Sequence, residues 1–423
     1  MKQIAYLLVF ALITSCSVQS IEPDNTLEPE NKPTEHAQIE RARSIPLQTK
    51  SRAILAQNNA FAFDVFKAVS QGQKQPDNLF LSPFSLSAAL GMLYNGADGN
   101  TKAEIAKVLG FSEYTPEEVN EYYKEVTKAL LEIDPNTSLS LANAIWANKG
   151  VNLKKSFIEL NQNYYDAEVS TLDFSLPATL KTINDWASEK TKGTIPKLLD
   201  KIDPSTIVML ANAIYFKSFW THDFDKSKTL NKPFHNIDGT TSTVPLMHQK
   251  EMRMAYAQMD DCSLVELPYA NTAYAMSLIL PAEGQDLDAL IASLDVESWQ
   301  AMRSHRGAVD VTLSMPRFRV ENSLENLAGV LSDLGMPEAF SSYANFSAML
   351  DTKVSVTSVI QKSYISVDED GTEAAAVTLI AMATSVLQPN PAKATMVLDR
   401  PFAFAITEQS TGAILFMGKI TKL

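Results

Sequence analysis

Few side chains in this chain could do chemistry, and their spacing fits none of the usual catalytic arrangements. The five histidines, His36, His222, His235, His248 and His305, are scattered. None stands in a His-Glu-x-x-His or other metal-ligand pattern, so no metal is expected. Neither Gly-x-Ser-x-Gly nor Gly-x-Gly-x-x-Gly occurs, so the sequence offers no nucleophile elbow and no dinucleotide-binding turn. Ser82 and Ser85 stand at a helix start, where hydroxyls cap and pack. Cys262, in Asp260-Asp261-Cys262-Ser263, lacks a redox motif and reads as a strand residue. We therefore expect no enzymatic activity and no cofactor.

The other cysteine, Cys16, is better placed for modification. Lys2 supplies a positive start, Ile4 to Ile13 is apolar, and Ile13-Thr14-Ser15-Cys16 follows. The apolar run is too short to span a bilayer as a mature helix, and its layout is that of a cleaved leader. A small-residue run ending in cysteine resembles the lipobox of bacterial lipoproteins, which implies a signal peptide over 1–15 and acylation of Cys16. An ordinary secretory leader cut near Ser15 is the other reading. Residues 16–50 are polar, carry Pro23, Pro29, Pro33 and Pro46, and read as a flexible tether. The expectation is a secreted bacterial lipoprotein on the outer membrane or cell surface, with the periplasmic face as the other option. The lipid anchor would be its only membrane contact, and the folded part would occupy 51–423.

Composition sets the outer limits. A length of 423 residues suggests two or three domains, and 45% hydrophobic against 20% charged residues provides for a large core. Acids outnumber bases 49 to 36, for a net charge of −13, with no basic block to track phosphates. Nucleic acid is therefore not expected as a partner.

Several elements can be read directly. Ser82-Pro83 is a capped helix start, and the helix stops at Asn95-Gly96. Thr101 opens a second helix that Gly110 closes, and Thr115-Pro116-Glu117-Glu118 is a capping box launching a third to about Glu132. A further helix is predicted over 177–191. Apolar runs at 139–148 and 207–216 read as buried strands, and both contain Leu-Ala-Asn-Ala-Ile. More strands are predicted at 263–269, 274–280, 309–315 and 354–367, with a hairpin of 402–407 and 413–419 around Gln409-Ser410-Thr411-Gly412. Helices early and strands late point to an α+β protein.

By propensity alone, the Ala-rich run after Gly371-Thr372 predicts a helix over 373–387, followed by a loop holding Pro389 and Pro391. The motifs here carry more information than the propensity. Glu369-Asp370-Gly371-Thr372-Glu373-Ala374-Ala375-Ala376 closely resembles the hinge of the serpin family of protease inhibitors. Asp399-Arg400-Pro401-Phe402 and Phe416-Met417-Gly418-Lys419 resemble its C-terminal signature, and Asn78-Leu79-Phe80-Leu81-Ser82-Pro83-Phe84-Ser85 resembles the start of its central buried helix. Leu210-Ala211-Asn212, with Trp220 downstream, resembles the strand and breach of its main sheet. The likeness runs in consistent order over roughly residues 52–423.

This resemblance implies one α+β domain with three β-sheets, about eight or nine helices and an exposed reactive-centre loop at about 369–398. It assigns Ser82, Ser85, Asn212, Trp220 and Gln361 to the shutter and breach that govern opening of the main sheet. Two departures stand out: Gln361 occupies a position where many serpins carry histidine, and Ala403 replaces a bulky apolar residue.

The family mechanism implies suicide inhibition by a monomeric protein whose partner is the target protease. The protease forms an acyl-enzyme on the loop, and the loop then inserts into the main sheet as a new strand. Insertion requires a proline-free run, and no proline occurs from Glu369 to Gln388. One face of the strand would carry Thr372, Ala374, Ala376, Thr378, Ile380 and Met382, all uncharged. Gly371 allows the pivot to bend. On the order of 15 new backbone hydrogen bonds at ~1 kcal/mol net each would drive the change.

Counting Glu369 as the first residue, the family spacing places the bait bond after the seventeenth, at Ser385-Val386. Thr384, Val386 and Leu387 are neighbouring alternatives. Small and aliphatic residues suit elastase-like or subtilisin-like proteases, with papain-like cysteine proteases as further targets. Lys393 is a trypsin-like alternative, but it would leave slack of ~26 Å at about 3.3 Å per residue. The competing readings are a non-inhibitory serpin acting as a binding or scaffold protein, and a lipid-anchored hydrolase, which the missing catalytic motif disfavours.

Overall fold

The computed structural model describes residues 40–72, 78–203, 205–372 and 392–423. In chain order the elements are α1 (Thr49–Ser70), β1 (Leu79–Leu81), α2 (Pro83–Gly96), α3 (Gly99–Leu109), α4 (Pro116–Glu132), β2 (Ser138–Asn148), α5 (Lys155–Tyr165), β3 (Glu168–Leu172), α6 (Pro177–Lys190) and β4 (Val208–Phe219). Then come β5 (Leu230–His235), β6 (Thr241–Gln258), β7 (Cys262–Pro268), β8 (Tyr274–Pro281), α7 (Leu287–Ser293), α8 (Val296–Ser304), β9 (Gly307–Pro316), β10 (Phe318–Leu324) and α9 (Leu327–Asp333). The last are β11 (Ser358–Val367), β12 (Gly371–Thr372), β13 (Lys393–Val397), β14 (Phe402–Glu408) and β15 (Ile414–Ile420).

Six strands form one sheet in the order β10-β11-β12-β4-β2-β3. Nine form a second ladder, β1-β15-β14-β8-β7-β6-β9-β13, with β5 on β6. The long β6 changes role along its length: its first half pairs β5 and its end pairs β7, with a register shift between Gln249 and Met252. Glu251, at the shift, has φ 44°. Divided at that bulge, the nine strands are two sheets that share β6 and β9, and with the six-stranded sheet they make the three expected.

The elements form where their local chemistry demands. Thr115 and Glu118 make the reciprocal capping box, and Ser82 accepts from the Ser85 amide with Pro83 at the first helical position. The two Leu-Ala-Asn-Ala-Ile copies lie antiparallel on each other, with Asn143 opposite Asn212. α2 is buried on nearly every side, with only Asn95 partly exposed. It underlies the six-stranded sheet, whose other face packs on α6 through Trp146, Ile183, Ala187, Met209, Ala211, Ala213 and Ile360.

Four expectations need correction. The packed chain starts ahead of Ser51: Ile45 and Leu47 are buried, and the Ala42 and Ile45 amides bond to Asn271 O and Ser410 Oγ. The second helix opens at Gly99, because the Asp98 carboxylate rather than Thr101 caps it. β11 starts at Ser358, not at 354. The loop expected over 369–398 is shorter at both ends, since Gly371-Thr372 and Lys393–Val397 are strands. The predicted helix over 373–387 lies outside the described residues.

Candidate functional site

The six-stranded sheet has a seam down its middle. Along Ser358–Ser363, β11 pairs directly with β4 in parallel, Gln361 opposite Asn212. Above that, β12 is wedged between them, antiparallel to both. Thr372 pairs with Val367 on one side and Ser218 on the other, and Gly371 pairs with Phe219. Thr372 is fully buried, and its hydroxyl lies 2.7 Å from the hydroxyl of the equally buried Tyr269. Gly371 has φ +147°, and a Cβ there would lie 2.3 Å from the Ser218 carbonyl. Its bend was legible in the sequence; the close approach of β4 that requires glycine was not.

The turn leading into β12 is tied to Trp220 and its neighbours. The Trp220 indole donates to the Asp368 carbonyl at 2.9 Å, and its amide donates to the Asp370 carbonyl at 2.9 Å. The Phe224 amide donates to the Glu369 carbonyl at 3.0 Å. The Glu369 side chain is 1% exposed and receives Arg317 through Nε at 2.8 and 2.9 Å and Nη2 at 2.7 Å, with the Thr229 hydroxyl as a further donor. Burial alone would raise its pKa, but the Arg317 and Thr229 hydrogen bonds prevail and hold it below the ordinary range.

Nearby carboxylates are less well balanced. Burial, and then the charge of Asp370, push Asp223 up to about 6 against the pull of Lys226. Burial is also the main cause that raises Asp368. A carboxyl whose folded pKa is raised binds its proton more tightly in the folded state, so its contribution to stability falls as pH climbs from about 4 to about 6. Asp223→Asn should therefore stabilise the protein at pH 8, by on the order of 1 kcal/mol once screening at a half-buried site is allowed for, and change little at pH 4. Thermal midpoints of the two proteins at both pH values check this; equal gains at both would remove the titration from the argument.

The lower seam is closed by a second network. Gln361 Nε2 donates to the Ser82 carbonyl at 3.0 Å and to Asn212 Oδ1 at 2.9 Å, while its Oε1 accepts from the Ser82 amide at 2.8 Å. Asn212 Nδ2 donates to the Ser85 hydroxyl and, at 2.7 Å, to Asn143 Oδ1. Glutamine thus spans the gap with one donor and one acceptor and no titrating group. Gln361→Ala strands two buried groups, the Ser82 amide and Asn212 Oδ1, while the Ser82 carbonyl keeps the Leu86 amide; each one left unsatisfied costs about 1–3 kcal/mol. The expected result is a lower urea midpoint for the first unfolding transition; an unchanged midpoint would mean the seam is closed by the strand ladder alone.

The structure thus brings together Ser82, Ser85, Asn212 and Gln361 at the lower seam, and Trp220, Glu369, Gly371 and Thr372 at the upper. Lys393 instead opens β13, paired with Asp310 of β9, and its ammonium bonds Glu251 at 3.2 Å. It is a ladder residue rather than free bait, which corrects the trypsin-like alternative. Glu373, Ala374, Ala375, Ala376, Thr384, Ser385, Val386, Leu387 and Cys16 lie outside the described residues. Cys262 is buried, bonds to Met302 Sδ, and has its thiol pushed up to about 12 by burial and Asp261. Arg317, Thr229, Tyr269 and Asn143 went unnoticed in the sequence, and only Asn143 carried a signal, the repeated pentapeptide.

The profile of the family described as Serpin (serine protease inhibitor) matches residues 56–423. Leukocyte elastase inhibitor of Homo sapiens is 34% identical over 378 residues, covering 86% of this chain and 98% of that protein. Among solved structures, the thermophilic serpin tengpin in its native state superposes with a TM-score of 0.80 at 29% identity, covering 90% of this chain and 97% of that one. Human thyroxine-binding globulin superposes with a TM-score of 0.79, also at 29% identity, covering 88% of this chain and 99% of the other.

Proposed function

The chain belongs to the serpin family, and from that premise we propose that it is a suicide inhibitor of serine proteases rather than an enzyme. The observation that carries this reading is the wedge of Gly371-Thr372 between β11 and β4. A strand entering there continues antiparallel to both neighbours, and the register already in place dictates what it meets.

Val367 opposite Thr372 and Ser218 opposite Thr372 fix the ladder sums. Extended downward, that register brings Thr378 between Gln361 and Asn212, on the face Thr372 already uses. The Gln361–Asn212 bond must part, and a hydroxyl arrives where it was. Met382 would reach Val208, the first residue of β4. A protease acylated on Ser385 would then sit just past the end of the sheet, about 43 Å from the hinge at ~3.3 Å per residue. Attack by the protease nucleophile breaks the Ser385-Val386 peptide bond, forms the acyl ester on Ser385, and releases the Val386 amine. Drawn against the foot of the sheet, the protease loses the geometry that hydrolysis of that ester needs.

Small and aliphatic bait residues favour elastase-like and subtilisin-like targets, and the 34% identity to a protein named for elastase inhibition supports the first. The inhibitor works as a monomer, carried on the cell surface through lipidated Cys16; detergent-phase partition lost in Cys16→Ala tests that placement. For the inhibition itself, the mature protein is mixed with elastase-, subtilisin-, trypsin- and papain-type proteases. A complex that survives denaturing gels, with a released fragment beginning at Val386, is the expected result. Cleavage without any complex would replace this reading by a binding or scaffold role.

A further inference from the structure

We propose that the intact protein keeps its hinge seated in the sheet by two residues before any protease acts, and that Tyr269 is the positioning residue that holds it there; this rests on the loop-insertion reading for its consequence, not for its geometry.

Two independent features build the seat. The first is steric. Gly371 lies so close to β4 that a Cβ would also fall 2.5 Å from Phe219 Cα, so this register admits only glycine. The second is a matched pair of hydroxyls. Tyr269 is stacked on Trp220 with centroids 4.5 Å apart and 15° between planes, and packs edge-on against Phe216. The ring is thereby fixed with its hydroxyl aimed at the seat. Among the described residues, that hydroxyl has no hydrogen-bond partner but Thr372. If the hinge withdrew, Thr372 would find water, while Tyr269 would keep a buried, unpaired hydroxyl. The aromatic platform is therefore more stable with the hinge in place than without it.

The consequence is kinetic. Insertion of a free loop must first close an entropically costly contact, after which each residue adds its rungs. A seated Thr372 has made that first contact already. The strand can lengthen as soon as the bond at Ser385 is cut, which favours insertion over hydrolysis of the acyl-enzyme.

Hydrogen exchange on the full mature protein, read on peptides holding Trp220 and 368–372, tests the seat without any protease. The amides of Trp220 and Asp368, which donate to Asp370 and Gly371 carbonyls, report it directly. They should be protected in the unmodified protein. They should exchange about tenfold faster or more in Tyr269→Phe, in Thr372→Val and in Gly371→Ala, since the first two leave one hydroxyl unpaired and the third fills space that β4 occupies. The double variant Tyr269→Phe/Thr372→Val removes both hydroxyls together and should return to within a few-fold of the original rate. Covalent trapping should follow the same order: fewer complexes per cleaved inhibitor in each single variant, with recovery in the double. Unprotected amides in the original protein, or a double variant no better than the singles, would overturn the seat. Protected amides with no covalent complex would instead sink the inhibitory reading and leave the seat standing.

Discussion

Thr372→Arg is expected to turn a covalent trap into an ordinary substrate. Thr372 is fully buried between Val367 and Ser218, facing Tyr269. Among the described residues no carboxylate bonds to it, so a guanidinium there would be an unpaired charge in a buried slot, at an effective cost of several kcal/mol. That cost falls on the seated hinge and on every inserted state. Bond cleavage, thirteen residues further along, depends on how the protease grips the loop and should proceed at its usual rate. Trapping is a race between insertion and deacylation, and each 1.4 kcal/mol on the insertion barrier slows it about tenfold. The yield of covalent complex should fall on the order of 100-fold or more, with all inhibitor recovered cut at the same bond. Denaturing gels at fixed protease with rising inhibitor measure this; complex at the original yield would mean that Thr372 need not enter the sheet.

How much of this site could be read from the sequence depended on whether the interactions were local. The Thr115 capping box and the Ser82-Pro83 start are complete within four residues, and both formed as predicted. The repeated Leu-Ala-Asn-Ala-Ile marked two buried strands, although their pairing with Asn143 opposite Asn212 is a property of the sheet. α1 escaped notice although its buried Ile54, Leu55, Asn58, Phe61, Ala62, Val65, Phe66 and Val69 recur at helical spacing, with Arg52, Ala56, Gln57 and Asp64 exposed between them; that stripe was legible in the sequence. β6 was harder to read: it serves two sheets, and its burial pattern slips at the bulge.

The hinge itself was legible through the motif, while its supports were not. Tyr269 is 103 residues from Thr372, and Arg317 is 52 from Glu369. Nothing in a local window distinguishes that tyrosine from Tyr274, which bonds Leu130 instead. The Ala-rich composition pointed to a helix, whereas the neighbouring Gly371-Thr372 is strand in a sheet with apolar residues on both faces. Small side chains suit such a two-sided slot as well as they suit a helix, so propensity could not decide between them.

The Glu369–Arg317 pair leads to the second large effect, which is asymmetric. Glu369 is 1% exposed and Arg317 43% exposed, so the two partners face different solvents. Among the described residues, Arg317→Ala leaves the buried carboxylate with the Thr229 hydroxyl and Glu369's own amide as donors, and no cation bonded to it. Stranding a buried charge in this way costs about 3–5 kcal/mol. Glu369→Gln leaves the half-exposed guanidinium free to hydrate, and the amide oxygen still accepts from Thr229 and Arg317; its cost should be ~1 kcal/mol. The pH dependence separates the two cases. In the original protein Glu369 is held below its ordinary pKa, so its contribution is present at neutral pH and lost as pH falls through that lowered value. Without Arg317 only burial remains as the main influence, the pKa moves up instead, and stability falls as pH rises. The gap between Arg317→Ala and the original protein should therefore be widest near pH 7 and shrink below about pH 4, where the carboxyl is protonated in the unfolded chain as well. Urea midpoints at both pH values decide the matter. If Glu369→Gln proves as damaging as Arg317→Ala at pH 7, the loss comes from broken attraction between the partners and not from the stranded charge, and the hinge is anchored by the pair rather than by the need to neutralise Glu369.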